Sequence, residues 1–337
     1  MKLKPLVVAA FVGMTSLSSF SALANTAVKF TLDWKFEGPA AAYLVALEKG
    51  FYKEQGLDVT IDSGNGSLDA IPKVASGTYE FGFADVNSLI KFKDQNPDSP
   101  LQGILMVYDK PPFAIIGSKQ TGVNTPKDLE GKVLGAPAPD GAYAQWKAFT
   151  QVAGIDASKV KIDNVSFAVR ESMLVQKRVD AIAGFSFSSF LNLKKIGMAP
   201  EDIHVMLMAD YGLKLYGNTL LVNPAFAEAH PDLVKGFVAA TIKGWQYTAA
   251  HPEESVKYVL ERNKIANEAV ETERLKMCLK DNVVTDNVKA NGFGGIDYGR
   301  MDEAIEQVGM TYDFHHKPTS KAIFTDAYLP AKSAREM

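Results

Sequence analysis

The side chains best suited to recognising a small molecule fall on loops that follow short apolar strands. After the alternating run Val28 to Leu32, one turn carries Trp34, Phe36 and Glu37, two rings for stacking and a carboxylate for N–H or O–H groups. Packing the first helix against the sheet is the other role open to Trp34 and Phe36. Asn65, Gly66 and Ser67 follow a second strand, and Asp85 and Asn87 a third. Glycine permits close backbone approach there, and its neighbours supply hydrogen-bonding groups. Farther on, Asp140, Gly141 and Tyr143, then Arg170, then Phe185 and Ser186 stand in the same kind of place. Asp85 and Asp140 can accept from a ligand or serve their own backbone as turn and cap residues. Arg170 opens a predicted helix, where a cation opposes the helix dipole by a few tenths of a kcal/mol to about 1. A ligand carboxylate or sulfonate would offset that, and so would a pair with Glu171 or with an acid across the hinge. Asp210, beside Tyr211, serves as a hinge or a ligand residue.

No Ser-His-Asp set or carboxylate pair stands out, so no catalytic residue is assigned. His315 and His316 are adjacent and share no helix or strand face, so no metal site is expected. Asn291 to Gly295 is glycine-rich but lacks a preceding strand and a lysine, which makes it a loop rather than a phosphate cradle. No cofactor is called for.

The elements that position these loops read as repeated strand-loop-helix units. Strands are predicted at Val28 to Leu32, Asp58 to Asp62, Tyr79 to Ala84 and Leu101 to Tyr108, with Ser67 or Asp69 capping a helix through Ala75. Lys110-Pro111-Pro112 stiffens the chain before a strand at Phe113 to Gly117, where the first crossing between lobes is placed. The pattern then recurs: a strand at Val133 to Ala136, a helix at Ala142 to Val152, a strand at Val160 to Asn164, and a turn at Arg178 to Gly184 that parallels Gly77 to Phe83. After a strand at Val205 to Ala209, Asn218 to Val222 returns to the first lobe. A helical tail follows, with Asp232 to Ala250 broken at His251-Pro252, then helices about Glu268 to Leu279 and Tyr298 to Val308. The fold class is therefore α/β in two lobes, residues 25–112 with 210–337 and residues 113–209. Loops at the carboxyl ends of strands, entering helix N-termini, are where such sheets bind ligands.

Lys2 and Lys4, the apolar run Leu6 to Met14 and Ala22-Leu23-Ala24 read as an export signal, residues 1–24, cleaved to leave Asn25 first. Nothing after it is apolar for long enough to span a bilayer. The lone cysteine, Cys278, lies in a predicted helix and reads as a buried thiol. With no cysteine at the cleavage point to take a lipid, the mature chain should diffuse freely in a periplasm. A formal charge of −3 with no basic cluster argues against nucleic acid.

Leu32-Asp33-Trp34, the run Tyr43 to Val59, Gly77 to Asp85, Pro126 to Lys132, Arg178 to Gly184 and His230-Pro231 resemble the periplasmic solute-binding proteins of ABC importers for nitrate, sulfonates, taurine and thiamine pyrimidine precursors. The resemblance implies a type II binding-protein fold, two α/β lobes on a hinge closing over a solute. It further implies a monomer working with an inner-membrane permease and its ATPase. The solute expected is small and polar, either aromatic and heterocyclic or anionic. The branch binding pyrimidines or flavin-like rings continues past the tryptophan with proline and a polar residue; Lys35-Phe36-Glu37-Gly38-Pro39 stands here and counts against a pyrimidine. A yeast-type pyrimidine synthase shares the fold, but its cysteine-rich motif is missing, so the expectation is a carrier and not an enzyme. The rivals are an exported enzyme using Asp85 or Asp140 as a base, and a ligand sensor docking on a membrane receptor.

Overall fold

The computed structural model describes residues 25–138 and 140–337; the predicted export signal lies outside the described residues. The strands in chain order are β1 (Thr26–Thr31), β2 (Leu57–Asp62), β3 (Phe81–Asp85), β4 (Gln102–Met106), β5 (Phe113–Ser118), β6 (Val133–Gly135), β7 (Lys161–Asp163), β8 (Ala181–Phe185), β9 (Ile203–Leu207) and β10 (Asn218–Val222). They form two five-stranded sheets, β2-β1-β3-β10-β4 and β7-β6-β8-β5-β9, which share one order once β10 is matched with β5. In each sheet that matched strand is antiparallel to both neighbours. It is also the strand the chain enters on arriving from the other sheet. A chain coming across the gap enters at the edge where the remaining strands end, so it must run against them. The carboxyl ends of β1, β3 and β4 and those of β6, β8 and β9 therefore meet the same two crossings, Met106 to Phe113 and Leu207 to Asn218.

The helices are α1 (Ala41–Glu48), α2 (Ser67–Ala75), α3 (Val86–Gln95), α4 (Trp146–Val152), α5 (Arg170–Val175), α6 (Ser186–Lys195), α7 (Pro224–Ala229), α8 (Pro231–Ala250), α9 (Pro252–Arg262), α10 (Glu268–Cys278), α11 (Asp286–Asn291), α12 (Tyr298–Gly309) and α13 (Ser320–Ile323). Proline at the first position of both α8 and α9 explains the break between them, since proline lacks the N–H that a continuous helix would need. Val234, Phe237, Val238, Thr241, Ile242 and Trp245, the predicted apolar face of α8, are all buried. They pack on the first sheet, with the Phe237 ring stacked on Phe81 at 3.7 Å. α8 also lies close against α1: a Cβ on Gly244 would stand 2.3 Å from the Ala42 carbonyl oxygen. Cys278 is buried at the end of α10, where desolvation pushes its thiol up to about 12. Among the described residues, no helix is long and apolar enough to cross a membrane.

The structure corrects several local expectations. Ser67 and Asp69 do not cap α2, which begins at Ser67 after an uncapped Gly66; the Ser67 hydroxyl instead accepts from the Asp85 N–H across the sheet edge, at 2.9 Å. The helix expected from Ala142 is a 3-10 turn, Tyr143–Gln145, followed by α4 from Trp146, because Gln145 leaves the helical region (φ −98°, ψ 4°). β3 starts at Phe81 rather than Tyr79. α11, unforeseen, is capped by Thr285 on the Val288 N–H.

The tail grips both crossings. Buried Asp109 accepts from Thr285 Oγ1 at 2.5 Å, Asn287 Nδ2 at 2.8 Å and Arg300 Nη1 at 2.8 Å. The same guanidinium donates to the carbonyls of Asp109 and Leu215, one on each crossing.

Candidate ligand-binding cleft

At the first-lobe strand ends, Asp33 follows β1, and its Oδ2 accepts from Asn218 Nδ2 at 2.6 Å. Its carbonyl accepts from the Gly66 N–H at 2.5 Å, while a Cβ on Gly64 would stand 2.0 Å from the Leu32 carbonyl oxygen. Only glycine lets the second loop lie this close to the first. Burial raises the Asp33 carboxyl to about 7; the Asn218 bond opposes the rise, and the negative charge of Asp85 adds to it. Asp85 ends β3 and caps α3 through the Ser88 N–H (2.9 Å) and hydroxyl (3.0 Å). It also accepts from Asn87 Nδ2 at 2.8 Å. Burial pushes this carboxyl upward too. Asn87 donates its second amide hydrogen to the Tyr216 carbonyl at 2.8 Å. With both its hydrogens committed, Asn87 Oδ1 is buried without a hydrogen-bond partner, as is Asn218 Oδ1.

Around these groups, the Trp34 side chain is 44% exposed, with Lys35 Nζ 5.4 Å from its ring centre. Asn65 is exposed. Phe36 is half-buried against the first-lobe core, and its carbonyl accepts from Asn263. Glu37 turns toward α10, with Oε2 3.6 Å from Arg274 Nη1. Asp210 sits at the second crossing and pairs with Lys110 of the first at 3.1 Å.

On the second lobe, Arg170 is buried and engaged. Its Nη2 meets Glu171 Oε1 at 2.6 Å, and its Nη1 meets Asp140 Oδ2 and the Ala183 carbonyl at 3.1 and 3.2 Å. Of the two roles read from the sequence, the pair with Glu171 is present, and Asp140 joins it. Asp140 Oδ1 accepts from the Ala142 and Tyr143 N–H groups; burial raises its carboxyl although Arg170 pulls it down. A Cβ on Gly141 would lie 3.3 Å from the Phe113 ring and 3.5 Å from the Phe185 ring. Tyr143 and Phe185 are half-buried. The Ser186 and Ser189 hydroxyls are buried without partners, and Phe167, 44% exposed, faces the Arg170 guanidinium at 5.5 Å.

The chemistry on offer is uneven. The first lobe presents acceptors, the Asp33 carboxyl and two asparagine oxygens; the second presents rings and hydroxyls, and Arg170, its one buried cation among the described residues, already has two carboxylates. Asp33, Asn218 and Ser189 are not among the residues the sequence singles out, whereas Phe167 opens a loop, Phe167 to Arg170, that the sequence places on the cleft. Asp33 carried a signal, since it lies inside Leu32-Asp33-Trp34 at a strand end. Asn218 carried none, because only the return crossing brings it beside Asp33.

Two sheets of one topology, joined by two crossings that collect their strand ends, make this a type II periplasmic-binding-protein fold. The periplasmic aliphatic sulphonate binding protein SsuA from Escherichia coli shares it, with a TM-score of 0.71 at 13% identity over 89% of this chain and 92% of that one. The chain belongs to the NMT1/THI5-like family, whose model matches residues 39–255. It is 28% identical to the formylaminopyrimidine-binding protein of Halalkalibacterium halodurans, covering 82% of this chain and 83% of that protein. It is 24% identical to the riboflavin-binding protein RibY of Chloroflexus aurantiacus over 64% of this chain, but spans only 60% of that protein's length. A 4-amino-5-hydroxymethyl-2-methylpyrimidine phosphate synthase of Legionella pneumophila is 26% identical, covering 68% of this chain and 71% of that enzyme. The expected membership of the nitrate, sulfonate, taurine and thiamine-precursor group of solute-binding proteins holds.

Proposed function

We propose that this protein is the periplasmic receptor of an ABC importer and that its solute is a small planar nitrogen heterocycle bearing N–H donors. The observation that carries the reading is the set of acceptors at the first-lobe strand ends, Asp33 with Asn87 Oδ1 and Asn218 Oδ1, beside the exposed ring of Trp34. Buried acceptors without partners favour a ligand that brings hydrogens to them, because each group left bare costs about 1–3 kcal/mol. An anion would find the opposite, since Arg170 is committed to Asp140 and Glu171. Relatives named for binding formylaminopyrimidine and riboflavin support a heterocycle, despite the altered residues after Trp34.

A solute touching both lobes is bound better by the closed form and shifts the population toward it. Release to a permease then needs the lobes parted. Asp109, Lys110, Asp210 and Arg300 mark the hinge about which that motion turns, with lobe limits at residues 112 and 210. The protein acts as a monomer, exported by residues 1–24 and passing its solute to the permease–ATPase pair in the inner membrane. An exported protein beginning at Asn25 would support that route.

Titration calorimetry with formylaminopyrimidine, riboflavin, taurine and an alkanesulfonate tests the ligand class. One-to-one binding of a heterocycle, recovered unchanged, is expected. Preference for the sulfonates would overturn the ligand class, and conversion of the bound compound would turn the reading toward the synthase relatives.

A further inference from the structure

We propose that Arg274 is a positioning residue that latches the two lobes together while holding the first-lobe rim in place. The inference rests on the receptor reading, in that lobes must part and rejoin for a latch to matter. Arg274 belongs to α10, on the first lobe, and is buried. Its Nε donates to Glu271 Oε2 at 3.0 Å, and Nη1 lies 3.6 Å from Glu37 Oε2 on the rim turn. Glu271 Oε2 also accepts from the Gly38 N–H at 2.7 Å, and a Cβ on Gly38 would stand 2.4 Å from the Glu271 carbonyl oxygen. The turn bearing Trp34, Phe36 and Glu37 is thus docked on α10 at its far end.

The same guanidinium reaches the other lobe. Arg274 Nη1 donates to Ser188 Oγ at 3.3 Å, in the first turn of α6, two residues after Ser186. Farther along that seam, Lys194 Nζ meets both oxygens of Glu273 at 2.8 and 2.6 Å. Phe187 completes the join by packing into the first-lobe core. Beside these contacts lies a concavity of about 1010 Å³, lined by Phe190 of α6 and by Glu268, Thr272, Glu273 and Met277 of α10. The two helices therefore meet through two polar contacts and one buried ring, Phe187, with the concavity left open beside them. Parting them costs one hydrogen bond to a neutral hydroxyl, one exposed ion pair and the contact of the Phe187 ring with the first-lobe core, while Arg274 keeps Glu271 and Glu37 as partners. Such a latch releases reversibly, and its closed position fixes the distance between the rim at Trp34 and the rim at Phe185.

Spin labels on Gln151→Cys in α4 and Lys257→Cys in α9, both exposed sites, report the lobe separation in protein free of solute by double electron–electron resonance; buried Cys278 stays unlabelled. Ser188→Ala and Glu273→Lys should each raise the open fraction about two- to tenfold, the range for losing one such contact. Ser188→Thr should restore the closed distance, and so should Lys194→Glu combined with Glu273→Lys. Unchanged distances in both single variants, or failure of both rescues, would overturn the latch. Since no solute is used, a failed heterocycle titration leaves this result standing, and a failed latch leaves the titration standing.

Discussion

Asp33→Asn tests the electrostatics of the cleft in a single substitution. The variant keeps an oxygen to accept from Asn218 but cannot ionise. In the folded protein the Asp33 carboxyl takes its proton near pH 7, against an ordinary 3.8. Between those values the folded state holds more protons than the unfolded chain, so this group's contribution to stability is complete below about pH 4, declines as pH rises, and is gone above about pH 7. At 1.36 kcal/mol per tenfold change in proton affinity, the full gap is worth about 4 kcal/mol, and the part between pH 5 and pH 8 about 3 kcal/mol. The side chain keeps partial solvent contact, which brings the measurable effect toward about 2 kcal/mol. Urea unfolding of both proteins at pH 5, 6, 7 and 8 reads it directly: the variant gains on the wild type by that amount across the range. Asp85 shifts in the same direction, so some pH dependence persists in the variant and only the difference counts. Parallel curves would refute a buried, protonatable Asp33. Because ligand N–H groups favour the carboxylate over the acid, heterocycle affinity should also be higher at pH 8 than at pH 6, and this dependence should vanish in Asp33→Asn.

Arg170→Met leaves Asp140 and Glu171 buried without their cation, and should cost about 3–5 kcal/mol in urea unfolding; loss of solute binding with stability unchanged would reassign the guanidinium to the ligand. Gly244→Ala drives a methyl into the Ala42 carbonyl and should destabilise by about 1–3 kcal/mol through separation of α8 from α1, and an unchanged midpoint would contradict that packing. Trp34→Phe should alter stability by no more than about 0.5 kcal/mol, as expected for an exposed ring, yet abolish the fluorescence change on heterocycle addition, since Trp146 and Trp245 are buried. A signal surviving in this variant would place the solute away from Trp34.

β1 and the helical tail were legible from local periodicity, the strand alternating at two and α8 at 3.6 residues, while the return of Asn218 to Val222 to the first sheet was legible from its place after the second crossing. The seat of each hydrogen bond was less so. Ser67 looks like a helix cap in isolation, and only the adjacency of β1 and β3 turns its hydroxyl toward Asp85. The neighbour Glu171 was readable as a partner for Arg170, but Asp140, thirty residues away, reaches it only after β6 and β8 have paired. Glu37 drew attention as a rim carboxylate, but its partner Arg274 lies in the distant tail. Titratable groups whose state depends on burial were the hardest to read, as Asp33 shows.

The lobes share a topology but not a chemistry, and under the proposed function that asymmetry would order the steps of binding. Lobe one holds Asp33 and Asp85 at its strand ends, with Asn218 and Asn87 donating to them through Nδ2 and each keeping a buried Oδ1 without a partner. A solute bearing N–H groups can satisfy these while lobe two is still apart, since none of them needs a partner from across the gap. Lobe two adds Phe185, Phe167 and the Ser186 hydroxyl, groups whose value comes from excluding water and stacking, which closure alone supplies. A sulfonate would reverse the order, needing donors that lobe two has already given to Asp140 and Glu171, and meeting carboxylates on lobe one. The fold shared with a sulphonate-binding protein at 13% identity is consistent with this, because the topology sets where strand ends gather and leaves open which side chains stand on them.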